Sequence, residues 1–189
     1  MKIPVEVSAR HVHLCEKDFK ILFGKNYKLN IKKNLSQPGQ FVCKERVKLK
    51  TKNSEIDNIT ILGPFRNLTQ VEISITDCLR LGLESVIRDS GNLENTPGGT
   101  LIGPNGEVKL NSGIIVAKRH IHMNFDDAKF FNVKDKNLVK IKINSDYRKL
   151  IFDDVLIRVN ENFRLAMHID TDEANACDYK IGTFGEIVR

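Results

Sequence analysis

The stretch Arg10-His11-Val12-His13-Leu14 occurs a second time as Arg119-His120-Ile121-His122-Met123, 109 residues later. Each copy places one apolar residue between two histidines. Side chains alternate between the faces of an extended strand, so residues i and i+2 point the same way. His11 and His13 therefore share a face, as do His120 and His122. Two imidazoles side by side are half of a transition-metal site. The chain has 5 histidines, and the one outside these pairs, His168, lies in Met167-His168-Ile169-Asp170.

The repetition continues beyond the histidines. With an offset of 96, Ile59-Thr60-Ile61 aligns with Val155-Leu156-Ile157, and Glu72 aligns with His168. Each half thus carries a His-x-His and one further ligand-type residue on a later strand, the mark of an internal duplication. His11, His13 and Glu72 in one half, with His120, His122 and His168 in the other, fit two zinc-like ions. Three protein ligands per ion leave a position open for water or substrate, as catalytic sites do and structural ones do not. The competing reading makes these core histidines satisfied by hydrogen bonds. Two copies with equivalent third positions weigh against it. Cys15, Cys43, Cys78 and Cys177 are widely spaced and form no C-x-x-C, so they read as reduced thiols and not as a zinc-binding set.

Between these motifs the pattern is strand and turn. Residues 3–7 and 113–117 are short apolar strand candidates leading into the histidine pairs. A short helix is expected over Glu16–Phe23, ending at Gly24, and a second after an N-cap at Asn124. Strands are expected at 47–50, 59–62, 71–75, 138–143 and 155–159, and residues 89–106 read as hairpin loops. Many short strands with few helices predict a mainly β chain built of small barrels.

The two halves differ at one informative place. Gly63-Pro64-Phe65-Arg66 lies just ahead of Glu72, whereas the position of Arg66 is taken by Asn162 in the second half. An arginine beside a metal pair suits bidentate recognition of phosphate; a surface arginine in a turn is the plainer alternative. Arg10 and Arg119 alternate off the ligand face and read as structural. Thr69 and Gln70 are candidates for hydrogen bonds near the metals, and Arg88-Asp89-Ser90-Gly91 for a loop at the pocket mouth. Asp170 reads as a helix N-terminus. The net charge of +6 is spread along the chain. With no nucleic-acid-binding signature, it indicates general basicity with local attraction for a phosphorylated ligand. No apolar run approaches the ~20 residues of a membrane span.

Together Val7-Ser8-Ala9-Arg10-His11-Val12-His13, Gly63-Pro64-Phe65-Arg66, Thr69-Gln70-Val71-Glu72-Ile73-Ser74, Arg119-His120-Ile121-His122-Met123 and His168-Ile169-Asp170-Thr171-Asp172-Glu173-Ala174-Asn175-Ala176 resemble the PduL-type phosphate acyltransferases (phosphate propanoyltransferases or phosphotransacylases), in that family's order. The resemblance implies two similar small β-barrels with short helices. They would be a domain at 10–117 and a domain at 118–189 completed by the N-terminal strand 1–9. It implies reversible exchange of phosphate and coenzyme A on an acyl group, propanoyl or acetyl. It puts a dinuclear zinc site of two ions on His11, His13, Glu72, His120, His122 and His168. Arg66 would bind phosphate, and Ser90 would lie near the site. Members housed in bacterial microcompartments carry an N-terminal targeting extension. None is seen ahead of the first motif, so a cytoplasmic protein is expected, with encapsulation as the alternative.

The residues fit that chemistry. Acyl transfer to phosphate needs a polarised thioester carbonyl, an oriented phosphate and a stabilised thiolate. No Ser-His-Asp or Cys-His set is apparent, which favours direct attack by phosphate over an acyl-enzyme. The expected partners are acyl-CoA or CoA and phosphate or acyl phosphate, with no nucleic acid and no membrane; a homo-oligomer is left open. Two other classes compete. A dizinc hydrolase or phosphoesterase would use the same ligands with a different nucleophile. A non-catalytic metal-binding barrel of cupin type would need a Glu a few residues beyond the His-x-His, where Glu16 is too close and the second copy has Phe125.

Overall fold

The computed structural model describes residues 1–188. In chain order these form β1 (Ile3–Val7), β2 (His11–His13), α1 (Glu16–Phe23), β3 (Ile31–Asn34), β4 (Phe41–Lys50), β5 (Glu55–Gly63), β6 (Gln70–Glu72), α2 (Ile75–Leu81), β7 (Ile87–Arg88), β8 (Gly99–Ile102), β9 (Glu107–Leu110), β10 (Ile114–Ala117), β11 (His120–Met123), α3 (Phe125–Phe131), β12 (Leu138–Asn144), β13 (Leu150–Val159), β14 (Ala166–Ile169), α4 (Thr171–Ala176) and β15 (Phe184–Val188). The described residues are mainly β with four short helices, as expected. No helix among the described residues is long and apolar enough to cross a membrane.

Local chemistry sets the helix ends. α1 stops at Gly24, whose φ of 101° is open to glycine and strained for other residues. α3 and α4 begin in capping boxes, Asn124 with Asp127 and Asp170 with Glu173. The strand expected at 71–75 is a correction. The ladder ends at Glu72, and Ser74 caps a new helix by accepting from the Asp77 N–H, with Gly82 closing it in the left-handed region. A serine hydroxyl on the backbone overrides the β-preference of Ile73 and Ile75.

The chain divides into two compact units. One holds Met1–Ala9, Ser36–Pro38 and Lys118 onward; the other holds Arg10–Leu35 and Gly39–Ala117. The first is a closed barrel of order β1-β14-β11-β13-β12-β15 around a core that includes Ile3, Ile121, Ile141, Val155 and Met167. The second is a nine-stranded sheet of order β7-β10-β6-β2-β5-β4-β8-β9, with β3 added on β4. Its core includes Val12, Leu49, Ile61, Val71 and Ile114.

The halves are alike around the ligand strands and diverge at the rim. In the barrel, five-residue β15 pairs with both β1 and β12 and closes the ring. In the other unit β7 flanks the leading strand β10, but it is only two residues long, and the far side of β4 is taken by the β8–β9 hairpin. That sheet therefore curls without closing, and only one of the two expected barrels is a complete ring.

The strands leading into the histidine pairs are exchanged. β1 runs into His11 but pairs in the barrel, with Glu6 opposite His168. β10 runs toward His120 but pairs in the sheet unit, with Ile115 opposite Glu72.

Candidate functional site

Strand register assembles each three-residue set. β2 lies antiparallel to β6, with His11 opposite Glu72 and His13 opposite Gln70. β11 lies antiparallel to β14, with His120 opposite His168 and His122 opposite Ala166. Parallel neighbours back both pairs, β5 with Thr60 beside His11 and β13 with Leu156 beside His120. The offsets of 109 and 96 read from the sequence thus reappear as one hydrogen-bonding register built twice.

In the sheet unit His11, His13 and Glu72 are all buried, and one ligand atom from each falls within 4.8 Å of the others. His11 Nε2 is 3.5 Å from Glu72 Oε2, and His13 Nε2 is 3.9 Å from Glu72 Oε1. Among the described residues this is the one His/Cys/Asp/Glu group whose ligand atoms converge so closely. In the barrel unit the His120, His122 and His168 rings cluster with centroids 4.7 to 5.2 Å apart. His120 Nδ1 is 2.8 Å from the Lys118 carbonyl. A carbonyl only accepts, so the proton sits on Nδ1 and Nε2 is the nitrogen suited to a metal.

The electrostatics match neutral ligands. Burial pushes the His13 imidazole down to about 3, helped by His11 and Arg66 and opposed by Glu72 and the Leu62 backbone. Burial, then His120, His168 and Arg158, push His122 down to about 2. Burial alone would raise the Glu72 pKa. The charge and hydrogen bond of His11, then His13 and Ser90, outweigh it and hold the carboxylate well below its ordinary range. Metal ligation requires neutral imidazole, and the downward shifts of His13 and His122 run in that direction. Nδ1 of His122 is buried with no hydrogen-bond partner, an expense that a cation would relieve. His11, His13 and Glu72 could hold a metal ion.

Arg66 follows the Gly63-Pro64 turn, and its backbone N–H donates to the Leu14 carbonyl just beyond His13 (2.9 Å). Gly63 faces Phe41 across the β4–β5 ladder, and a Cβ there would collide with the ring. The Arg66 guanidinium donates to Ser90 Oγ at 2.9 Å, and Ser90 donates to Glu72 Oε1 at 2.8 Å. One hydroxyl therefore joins the arginine to the carboxylate. Arg66 also lines a surface cleft with Lys17, Asn67, Thr69 and Lys109. Thr69 ties down the start of α1, donating to Asp18 (2.6 Å) and accepting from the Cys15 N–H (3.0 Å).

Sequence reasoning missed one neighbour of the second set. Glu6 Oε2 lies 3.9 Å from His168 Nδ1 and accepts a 2.6 Å hydrogen bond from Ser36. Only the β1–β14 register brings it there, and strands so far apart in the chain carry no local signal of their pairing.

Residues 4–180 match the phosphate propanoyltransferase family. A phosphate propanoyltransferase of Leptotrichia buccalis is 55% identical over 185 residues, covering 98% of this chain and 87% of that protein. Proteins of the same name from Thermotoga maritima and Clostridioides difficile are 53% and 52% identical, each over 99% of this chain and 89% of theirs. The chain belongs to the phosphate propanoyltransferase family.

Proposed function

We propose that this member of the phosphate propanoyltransferase family interconverts acyl-CoA plus phosphate with acyl phosphate plus CoA, on propanoyl or acetyl groups. The observation that carries the reading is the Arg66–Ser90–Glu72 link, an anion-binding guanidinium tied through one hydroxyl to a buried His-His-Glu set. Two zinc ions per chain are part of the reading. His11, His13 and Glu72 would hold one, and His120, His122 and His168 the other. When bound, such ions supply Lewis-acid polarisation of the thioester carbonyl and charge stabilisation for the thiolate.

The chain's own residues account for the rest. Arg66 offers a planar fork of donors that binds and neutralises phosphate. Ser90 fixes the direction of that fork. A phosphate oxygen attacks the acyl carbon, the C–S bond breaks, and CoA leaves as the thiolate. Ser90 is poorly placed to form an acyl-enzyme. Its oxygen already accepts from Arg66 and Gln70, and the carboxylate it donates to is the one assigned to the metal. The two compact units and the place of β1 beside β14 support a working division into 10–117 and 118–189 plus the N-terminal strand. No disulfide joins the four cysteines, which supports a reducing, cytoplasmic setting.

The deciding experiment follows thiol release from acetyl-, propanoyl- and butanoyl-CoA with and without phosphate, with metal analysis of the same sample. Release only with phosphate is expected. Equal release without phosphate would make the protein a hydrolase.

A further inference from the structure

We infer that Gln70 is a positioning residue that makes Glu72 a one-oxygen ligand and couples it to the phosphate-binding arginine. The inference rests on the metal and phosphate assignments just made. Gln70 lies on β6 two residues before Glu72, so both side chains leave the same face of the strand. It is only 1% exposed, and its amide has three partners. Nε2 donates to Glu72 Oε1 at 2.5 Å and to Ser90 Oγ at 3.0 Å. Its Oε1 accepts from the Gly91 N–H at 2.7 Å. That backbone donor fixes the orientation of the amide. The oxygen must face Gly91, so both amide protons face Glu72 and Ser90.

Two consequences follow. Glu72 Oε1 is occupied by two donors, Gln70 and Ser90, while Oε2 faces His11 at 3.5 Å. Oε2 is then the ligating oxygen. Ser90, held by Gln70 and by the Gly91 contact, is the acceptor that aims Arg66. One buried amide thus sets both the carboxylate and the guanidinium. The other half has Ala166 at this place, opposite His122 in the register that sets Gln70 opposite His13. The strand pair does not need an amide there.

The test compares Gln70→Ala and Gln70→Met in the metal-loaded enzyme, alone and with Arg66→Ala. Metal retention is read by competition with a chromogenic chelator, phosphate KM and kcat by thiol release, and stability by thermal melting. The methionine variant keeps the buried volume if the alanine variant does not fold. Expected are a loss of affinity for one of the two ions of about 10- to 100-fold and a raised phosphate KM. That KM effect should disappear in the Arg66→Ala background. Wild-type metal retention and phosphate KM with a lowered melting temperature would overturn the inference, as would independent, additive effects of the two substitutions on phosphate KM. A metal-free wild type, or an Arg66→Ala enzyme with unchanged phosphate kinetics, would overturn the underlying site assignment and the inference with it.

Discussion

The guanidinium of Arg10 lies 2.9 Å from the carboxylate of Asp77, at the third position of helix α2. The relationship is built twice. Arg119 lies 2.9 Å from Glu173, at the third position of α4. Each arginine immediately precedes a histidine pair, and each acid lies five residues beyond the third member of a set, Glu72 or His168. The ion pair therefore fastens the start of the His-x-His strand to the helix that follows its partner strand. It holds the register that brings His11 opposite Glu72 and His120 opposite His168.

The two pairs differ in burial, and so should their contributions. The Asp77 side chain is 4% exposed, and its Oδ2 has no hydrogen-bond partner. Removing Arg10 leaves a buried carboxylate uncompensated, whereas Glu173 is more exposed and also accepts from the Asp170 N–H. Arg10→Ala should cost ~1–3 kcal/mol, discounted from a fully buried pair because Arg10 is partly exposed, and Arg119→Ala about 1 kcal/mol. Urea denaturation of both variants checks the order; equal losses would contradict the burial argument.

The three-residue sets predict a separable metal content. Wild-type protein should carry about two zinc ions per chain, as expected for two three-ligand sets. His13→Ala should lose one of them and His122→Ala the other, each with little residual turnover. Elemental analysis after desalting decides this. Full activity in excess chelator with no bound metal would refute it.

The depressed histidines predict an unusual titration. His13 and His122 lie at about 3 and about 2, far below the ~6.5 of an unfolded chain. In metal-free protein both rings should stay neutral from pH 8 to pH 5, giving imidazole signals in nuclear magnetic resonance spectra that do not shift. Below pH ~6.5 the unfolded chain takes up protons that the folded one excludes, so metal-free protein should lose stability as pH falls. Bound metal should blunt that loss, and melting curves of the two forms between pH 7.5 and 5 compare them.

What the sequence made legible was whatever repeats locally. The His-x-His alternation, Asn124 and Asp170 as caps, Gly24 as a stop and the alignment of Glu72 with His168 are all short-range patterns, and each has its counterpart in the structure. The extension of the strand through Ile75 failed because two β-branched residues outweighed Ser74, whose side chain is what starts α2. The open sheet was not legible either. It depends on β7 being too short to reach β4 and on β8–β9 taking that edge, and both are matters of long-range pairing. The Gln70–Ser90–Arg66 network joins residues up to 24 apart through a loop, with no period to announce it.

Arg66 offers the sharpest single test of the chemistry. It is absent from the second half, where Asn162 takes its place, so folding of the repeated motif does not require it. Its guanidinium donates to Ser90 Oγ at 2.9 Å, which ties its fork to the hydroxyl that also reaches Glu72. Phosphate is the reactant small enough to use the whole planar fork. Arg66→Ala should keep the fold and both metals while losing about 100-fold or more in kcat/KM for phosphate, in the range of a lost charge-assisted bidentate contact. Arg66→Lys should recover little of this, because an ammonium supplies charge without the fork. The expected pattern is a loss concentrated in phosphate dependence, with a smaller change in acyl-CoA KM. Wild-type phosphate kinetics in the alanine variant would remove Arg66 from the site and leave the two ligand sets standing.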